Sequence, residues 1–376
     1  MSECCEYTGT MSDSSSIGAI ETRIRELVHD YVGVNGTDVP ITPALRPMFH
    51  AVADQALSSS EGGKRLRALL TLDAYDVLAG APDSTQSQSK RAKVLDFACA
   101  IEVFQTAALV HDDLIDNSDL RRGKPSAHCA LTSFAGARSI GRGLGLMLGD
   151  MLATACTLIM EDASTGMVEH RRLVEAFLSM QRDVEVGQVL DLAIERMPLD
   201  DPQALAEASL DVFRWKTASY TTIAPLTLSF LAAGMTSGAA SRHAHAIGLP
   251  LGQAFQLADD LLDVIGSSRS TGKPVGGDIR EGKRTVLLAD AMMLGTPAQL
   301  VQLQQLYEQP CRSDAQVHET IALFHDTGAI EHSRERIAQL WSQTQEGIEA
   351  MGLTAAQSQS LRKACERFLP DFTAER

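Results

Sequence analysis

Aromatic side chains are scarce: Phe, Trp and Tyr together make up 5% of the 376 residues. Sheets draw on aromatic and β-branched residues for cross-strand packing, so this shortage weighs against a β-rich fold, while abundant Ala and Leu weigh for helix. Basic residues are outnumbered: 33 Lys plus Arg stand against 48 Asp plus Glu, a formal net charge of −15. That balance excludes broad nucleic-acid binding and a generally polybasic membrane-binding surface. The seven Cys are scattered and form no CxxC pair, so they suggest neither a disulfide framework nor a zinc site. A reducing, cytoplasmic compartment is the simpler expectation. No stretch reaches about 18 uninterrupted apolar residues, so no integral membrane segment is expected. The N-terminus, MSECCEYTGTMSDSSS, has acids where a signal peptide needs basic residues, and no apolar run follows it.

What the chain does have is length, a hydrophobic content of 44% and helical periodicity. It is long enough to bury a sizeable core. Residues 1–16 are polar and Ser-rich and are expected to form a disordered tail, with Met11 a possible second start. From Ile17 onward Ile20, Ile24, Leu27 and Val28 fall on one helical face. Similar patterns recur at about 43–59, 64–79, 91–117, 137–162, 167–195, 203–218, 220–234, 240–265, 283–293, 297–308, 315–325, 329–349 and 354–368; period-two alternation is absent, and no composition shift marks a boundary. The expected fold class is all-α, with one helical domain over residues 17–376. One long non-periodic stretch stands out, GSSRSTGKPVGGDIREGK at 266–283. A loop of that length inside a compact helical protein is more often functional than idle.

Two acidic motifs end apolar helical patterns. HDDLID holds Asp112, Asp113 and Asp116; DDLLD holds Asp259, Asp260 and Asp263. In each, the first and last carboxylates are four apart and share one helix face. Asp is a poor helix former and like charges repel, so a bound cation would relieve the cluster. Hard carboxylate oxygens suit Mg²⁺, which binds through few carboxylates and substrate phosphates. The competing reading, a solvated acidic patch, explains one such motif better than it explains two.

The basic residues of this acidic chain cluster near those motifs: Lys64, Arg65 and Arg67 in GGKRLR, Arg121 and Arg122 in RRGKPSAH, Lys216 in KTAS, and Lys273, Lys283 and Arg284 in the 266–283 region and just beyond. Beside Mg²⁺-binding carboxylates, Arg and Lys suggest phosphate recognition. Taken singly, Lys64 and Arg67 also read as exposed helix charges, and Arg121 and Arg122 as caps of a helix C-terminus.

GGKRLR, HDDLID…RRGKPSAH, GQVLD, KTAS, FQLADDLLD and TGKPVGGDIREGKRT, in this order, resemble the trans-polyprenyl diphosphate synthases over about residues 40–345. The resemblance implies a bundle of long helices around a deep central cavity, acting as a homodimer on isopentenyl diphosphate and an allylic prenyl diphosphate. It implies Asp112, Asp116 and Asp259 as ligands of three Mg²⁺ ions, with Asp113, Asp260 and Asp263 completing the motifs. Arg121, Lys216 and Lys273 correspond to contacts to the allylic diphosphate, and Lys64, Arg67 and Arg122 to the isopentenyl diphosphate site, with Lys283 a further substrate-binding candidate. Gln188, Asp191, Thr217, Phe255 and Gln256 correspond to walls of the active site. Two positions depart from the pattern: Ala68 stands where many members have Pro, and Gln105 where many have a His that contacts isopentenyl diphosphate.

Product length would be read along the helix that carries the first motif. Ala107 and Ala108, one turn before Asp112, are small; Phe104, two turns before, shares its face and is the candidate floor. That points to a twenty-carbon product, geranylgeranyl diphosphate. A longer product is the alternative if Phe104 is plain core packing. A class I terpene cyclase is a further alternative, disfavoured by the second DDxxD and by GGKRLR.

Overall fold

The computed structural model describes residues 11–33, 41–80, 84–266 and 275–370, with the backbone alone for 11–14. The tail expected over 1–16 lies outside the described residues only as far as Thr10, because helix α1 (Met11–Val32) already runs through residues 11–16. Ser and Asp serve well at helix starts, so a run of them need not be unstructured. The α1 face read from the sequence is buried: Ile20, Ile24, Leu27 and Val28 are at most 3% exposed.

The chain forms two compact units. The first comprises Thr8–Leu178 and Leu228–Ser237. After α1 come α2 (Arg46–Ser60), α3 (Leu66–Ala79) and α4 (Thr85–Ile115). A two-stranded hairpin follows, β1 (Leu120–Arg121) paired antiparallel with β2 (Lys124–Pro125), then α5 (Ala127–Ala135), α6 (Arg138–Ser164) and the start of α7 (His170–Ile194). Helix α4 starts at a reciprocal capping box between Ser84 and Ser87. It is packed against α1, α3, α5 and α6. Phe97, Ala98, Cys99, Ala100, Ile101 and Val103 are completely buried, which is possible only where neighbours surround the helix. Each of the larger side chains contributes about 1.5–3 kcal/mol by that burial. Helix α6 approaches its neighbours through a row of glycines: a Cβ on Gly141 would strike Thr132, and one on Gly149 would lie 2.1 Å from His111 Nε2.

Two helices, α4 and α6, are long and apolar enough to cross a bilayer by length and composition alone, a test that the core helix of a soluble protein also passes. In α4, 67% of that apolar window is buried inside the fold, as in a core helix. In α6 one face carries most of the exposed apolar residues: Ile140, Met147 and Leu158 are exposed, with Leu144 and Met151 half-buried between them, while exposed Leu146 lies off that face.

The second unit is chiefly Ser179–Thr227 and Gly238–Arg376. It contains the end of α7, then α8 (Pro202–Val212), which passes directly into an 11-residue π-helix (Phe213–Ile223). Helix α9 (Ala224–Ala232) leads out of it, and α10 (Ser237–Ile265) carries the second acidic motif. Beyond lie α11 (Gly277–Glu281), α12 (Val286–Leu294), α13 (Pro297–Tyr307), α14 (Asp314–Asp326), α15 (Ala329–Glu349) and α16 (Ala355–Glu366). The starts of α13, α14 and α16 are fixed by Thr or Ser capping boxes with Gln. Leu205, Leu257, Leu261, Val286, Leu288, Leu303 and Phe324 form the core of this unit.

The fold is all-α as expected; among the described residues the only strands are the four residues of the β1–β2 hairpin. Three elements differ from the sequence reading. Helix α5 stands directly after the turn residues RGKPS, outside the helical patterns of the sequence. The π-helix replaces an expected break between helices at 218–220. Within the supposed loop 266–283 the five residues of α11 are helical, with Gly276 and Gly282 at both ends in left-handed conformation.

Candidate active site

In the first unit the acidic motif sits where α4 runs out. Asp112 lies in the last turn and Asp116 is its C-cap residue, its amide bonding Asp112 O at 2.9 Å. Asp112 is half-buried and Asp116 exposed, whereas Asp113 is buried. The hairpin then folds back so that Arg121 donates to Asp113 Oδ1 through Nε at 2.9 Å and Nη2 at 2.5 Å. Arg121 therefore does not merely cap the helix; it pairs with one acid and lies in the field of Asp112 and Asp116. Burial works to lower its pKa, but the Asp113 hydrogen bond and these carboxylates outweigh it and raise it. Burial pushes the Asp113 carboxyl up despite Arg121.

The hairpin also joins the GGKRLR loop. Arg122 Nη1 donates to Glu61 O at 2.8 Å and Gly62 O at 2.9 Å. Burial and neighbouring Arg65 push the Arg122 guanidinium below its ordinary value. Such a group gains from an added anion. Arg65, quoted in the motif but assigned no role, is its anchor: it is 3% exposed, adopts a positive φ of 52°, and bonds Glu21 and Glu102 as well as Ser60 O. Glu102 also accepts from Ala68 N at 3.1 Å, fixing the start of α3. Lys64 is exposed and Arg67 buried, so only Lys64 suits the surface-charge reading. On α4, Phe104 and Ala107 are buried, and Gln105 and Ala108 are half-buried.

In the second unit the GQVLD, KTAS and DDLLD motifs come together. Gly187 lets α7 press on the π-helix: a Cβ there would lie 2.2 Å from Lys216 N. The contact brings Lys216 Nζ to 2.6 Å from Asp191 Oδ2. Next to Lys216, Thr217 Oγ1 donates to Gln256 Oε1 at 2.8 Å, and Gln256 Nε2 donates to Asp260 Oδ1 at 2.8 Å. The chain of bonds fixes which way the amide points. Asp260 is buried, and its other oxygen, Oδ2, has no hydrogen-bond partner among the described residues. Burial, then Asp278, hold its pKa well above the ordinary carboxylate range. Asp259, one residue earlier, is exposed.

Asp263 plays a different part. Its Oδ1 accepts from Gly277 N at 3.2 Å and its Oδ2 from Asp278 N at 3.0 Å, so it caps α11. Burial and Asp278 raise its pKa, and the two amides counter them. Lys283 pairs with Asp278 at 2.9 Å and Glu281 at 3.4 Å. Asp278 thus joins the acidic group, although the sequence reading passed over it; the GGD of the quoted motif was the available signal. Phe255 meets Phe368 edge-on at 5.7 Å, and Gln188 is half-buried on α7. Lys273 lies outside the described residues.

The donors of each motif suit a hard cation. In the first unit Asp112 and Asp116 offer oxygen alone at solvent-accessible helix positions; in the second Asp259 does the same, and Asp260 Oδ2, without a partner among the described residues, is a buried acceptor that a nearby cation would stabilise.

A family model described as "Polyprenyl synthetase" matches residues 47–324. The chain is similar to octaprenyl diphosphate synthase of Escherichia coli, with 31% identity over 74% of this chain and 76% of that one. It is 30% identical to geranylgeranyl pyrophosphate synthase 9 of Arabidopsis thaliana, a chloroplastic protein, over 65% of this chain. The match spans 63% of that plant protein, less than two thirds of its length. Among solved structures, geranylgeranyl pyrophosphate synthase from Corynebacterium glutamicum, complexed with isoprenyl diphosphate and magnesium, superposes with a TM-score of 0.77 at 29% identity, covering 93% of this chain and 97% of that one.

Proposed function

The chain belongs to the polyprenyl synthetase family, and on that premise we propose that it is a Mg²⁺-dependent prenyltransferase that condenses isopentenyl diphosphate with an allylic diphosphate to give geranylgeranyl diphosphate. One observation carries this reading most: each of two acidic helix segments has its own buried aspartate held by a built partner, Asp113 by Arg121 and Asp260 by Gln256, and the second has Lys283 paired with neighbouring Asp278. A merely solvated patch needs no such scaffolding.

Asp112, Asp116 and Asp259 would hold the metal, in the proposed set three Mg²⁺ ions, whose chemistry is to neutralise the diphosphate and stabilise the charge growing on it as it leaves. Asp113 holds Arg121 in place for the allylic diphosphate, and Asp191 does the same for Lys216. Lys273 completes that set. Thr217 and Gln256 orient Asp260, and Asp263 positions the α11 segment with Lys283. Lys64, Arg67, Gln105 and Arg122 take the diphosphate of isopentenyl diphosphate. Departure of the allylic diphosphate leaves an allylic cation; the isopentenyl double bond attacks it, and a proton passes to the released diphosphate. Gln188 and Phe255 line the walls, and their role is to keep water from the cation.

In this reading Phe104 closes the space for the tail beyond Ala107 and Ala108. The relatives make products of different lengths, so the floor decides between geranylgeranyl diphosphate and a longer chain. Both units act as one catalytic domain over residues 17–376, in the cytoplasm. The exposed face of α6, from Ile140 to Leu158, supports a homodimer, because an unpartnered apolar stripe of this length gains from a second copy.

Asp112→Ala and Asp259→Ala are expected to lower turnover by orders of magnitude with an unchanged circular-dichroism spectrum. Near-normal turnover in either removes the metal assignment. Phe104→Ala is expected to lengthen the product; an unchanged product distribution removes Phe104 from the floor.

A further inference from the structure

Asp119, His128 and Cys129 stand apart from the residues used above. They flank the hairpin that carries Arg121 and Arg122: Asp119 precedes β1, and His128 and Cys129 open α5. Ser126 N donates to Asp119 O at 2.9 Å and closes the base of that hairpin. His128 is 4% exposed, and its Nδ1 lies 3.1 Å from the Oγ of buried Ser126. Cys129 Sγ lies 3.5 Å from His128 Nε2 and 3.5 Å from Asp119 Oδ1.

Those separations have a meaning. Tetrahedral Zn²⁺ takes nitrogen at about 2.0–2.1 Å, oxygen at about 2.0–2.2 Å and sulfur at about 2.3 Å, which sets sulfur about 3.5 Å from either of the lighter donors. All three donor atoms lie within 4.8 Å of one another. Asp119 is exposed, so rotation of its side chain can close the remaining edge. We propose that Asp119, His128 and Cys129 form a site for Zn²⁺ or a similar late first-row divalent ion, with a fourth position open to solvent. Ser126 Oγ accepts the Nδ1 proton, which leaves the Nε2 lone pair for the metal. The Cys129 thiol gives up its proton to solvent and binds as thiolate. A thiolate–imidazole set selects this class of metal over Mg²⁺, which separates the site from the oxygen-only acidic motifs. No CxxC spacing marks it in the sequence; the hairpin brings the donors together. A bound ion would cross-link the two ends of the segment that holds Arg121 and Arg122.

The test is a Co²⁺ titration of the full chain in saturating Mg²⁺. The expected result is a thiolate-to-cobalt charge-transfer band that saturates at about one equivalent and is bleached by Zn²⁺. Cys129→Ser should abolish the band with an unchanged circular-dichroism spectrum. Asp119→Asn, at an exposed position, should weaken Co²⁺ binding by at least about tenfold. Absence of the band in the unaltered protein, its persistence in Cys129→Ser, or full affinity in Asp119→Asn overturns the site.

Discussion

At the scale of single residues, Asp260 is a buried carboxyl that the second unit keeps at a cost in stability. One of its oxygens lacks a partner among the described residues, and its ionisation is opposed by burial and by Asp278. A carboxyl whose folded pKa is raised keeps a proton that the unfolded chain has released. Stability of the metal-free protein should therefore fall as pH climbs from the ordinary carboxylate range towards the raised value. Asp260→Asn removes the carboxyl whose ionisation burial opposes. It should raise the melting temperature of the metal-free protein at neutral pH and flatten its pH dependence, while turnover drops. Thermal melts across pH 4–8 check this; an Asn variant that melts lower in EDTA at neutral pH contradicts it. Individual aspartates were legible in the sequence because their spacing repeats. Their division of labour was not. Asp113 serves Arg121, Asp260 faces inward and Asp263 caps α11, and those roles depend on chain segments that return from elsewhere.

At the scale of elements, the π-helix organises the second unit's share of the site. It puts Lys216 beside Asp191 and Thr217 beside Gln256 at adjacent positions. A periodicity of 3.6 cannot reveal such a segment, and the sequence reading placed a break within it. Gly187 is the residue that permits the contact. Gly187→Ala would force a methyl to 2.2 Å from the Lys216 backbone nitrogen, which the two helices can accommodate only by moving apart. Overpacking of this kind costs about 1–3 kcal/mol. A lower melting temperature and a turnover loss of at least tenfold are expected, measured on a protein that stays helical. Retention of both would show that α7 and the π-helix are not held in register there. The long helices, by contrast, were readable from apolar spacing sustained over several turns, as the buried face of α1 shows. Helix α5 was missed because it follows directly on the turn residues RGKPS, which the sequence reading took as a break between helices.

At the scale of the whole molecule, α6 carries apolar character that the first unit does not use. Ile140, Met147 and Leu158 stay 48–49% exposed along one face. Met147→Glu should shift sedimentation from dimer to monomer without loss of helicity. A monomeric unaltered protein, or a variant that remains dimeric, would remove that face as the interface. The family was legible in the order of six short motifs, and the all-α class in composition. Product length was not, since it depends on how far a cavity extends rather than on any motif.

The central claim is head-to-tail prenyl transfer, and the most direct measurement is product sizing. Purified protein is incubated with Mg²⁺, isopentenyl diphosphate and, separately, five-, ten- and fifteen-carbon allylic primers; the products are dephosphorylated and sized. The account predicts elongation that EDTA abolishes, with a dominant twenty-carbon alcohol. Absence of elongation from every primer, with EDTA-sensitive release of diphosphate and a hydrocarbon, would contradict it and identify a cyclase instead.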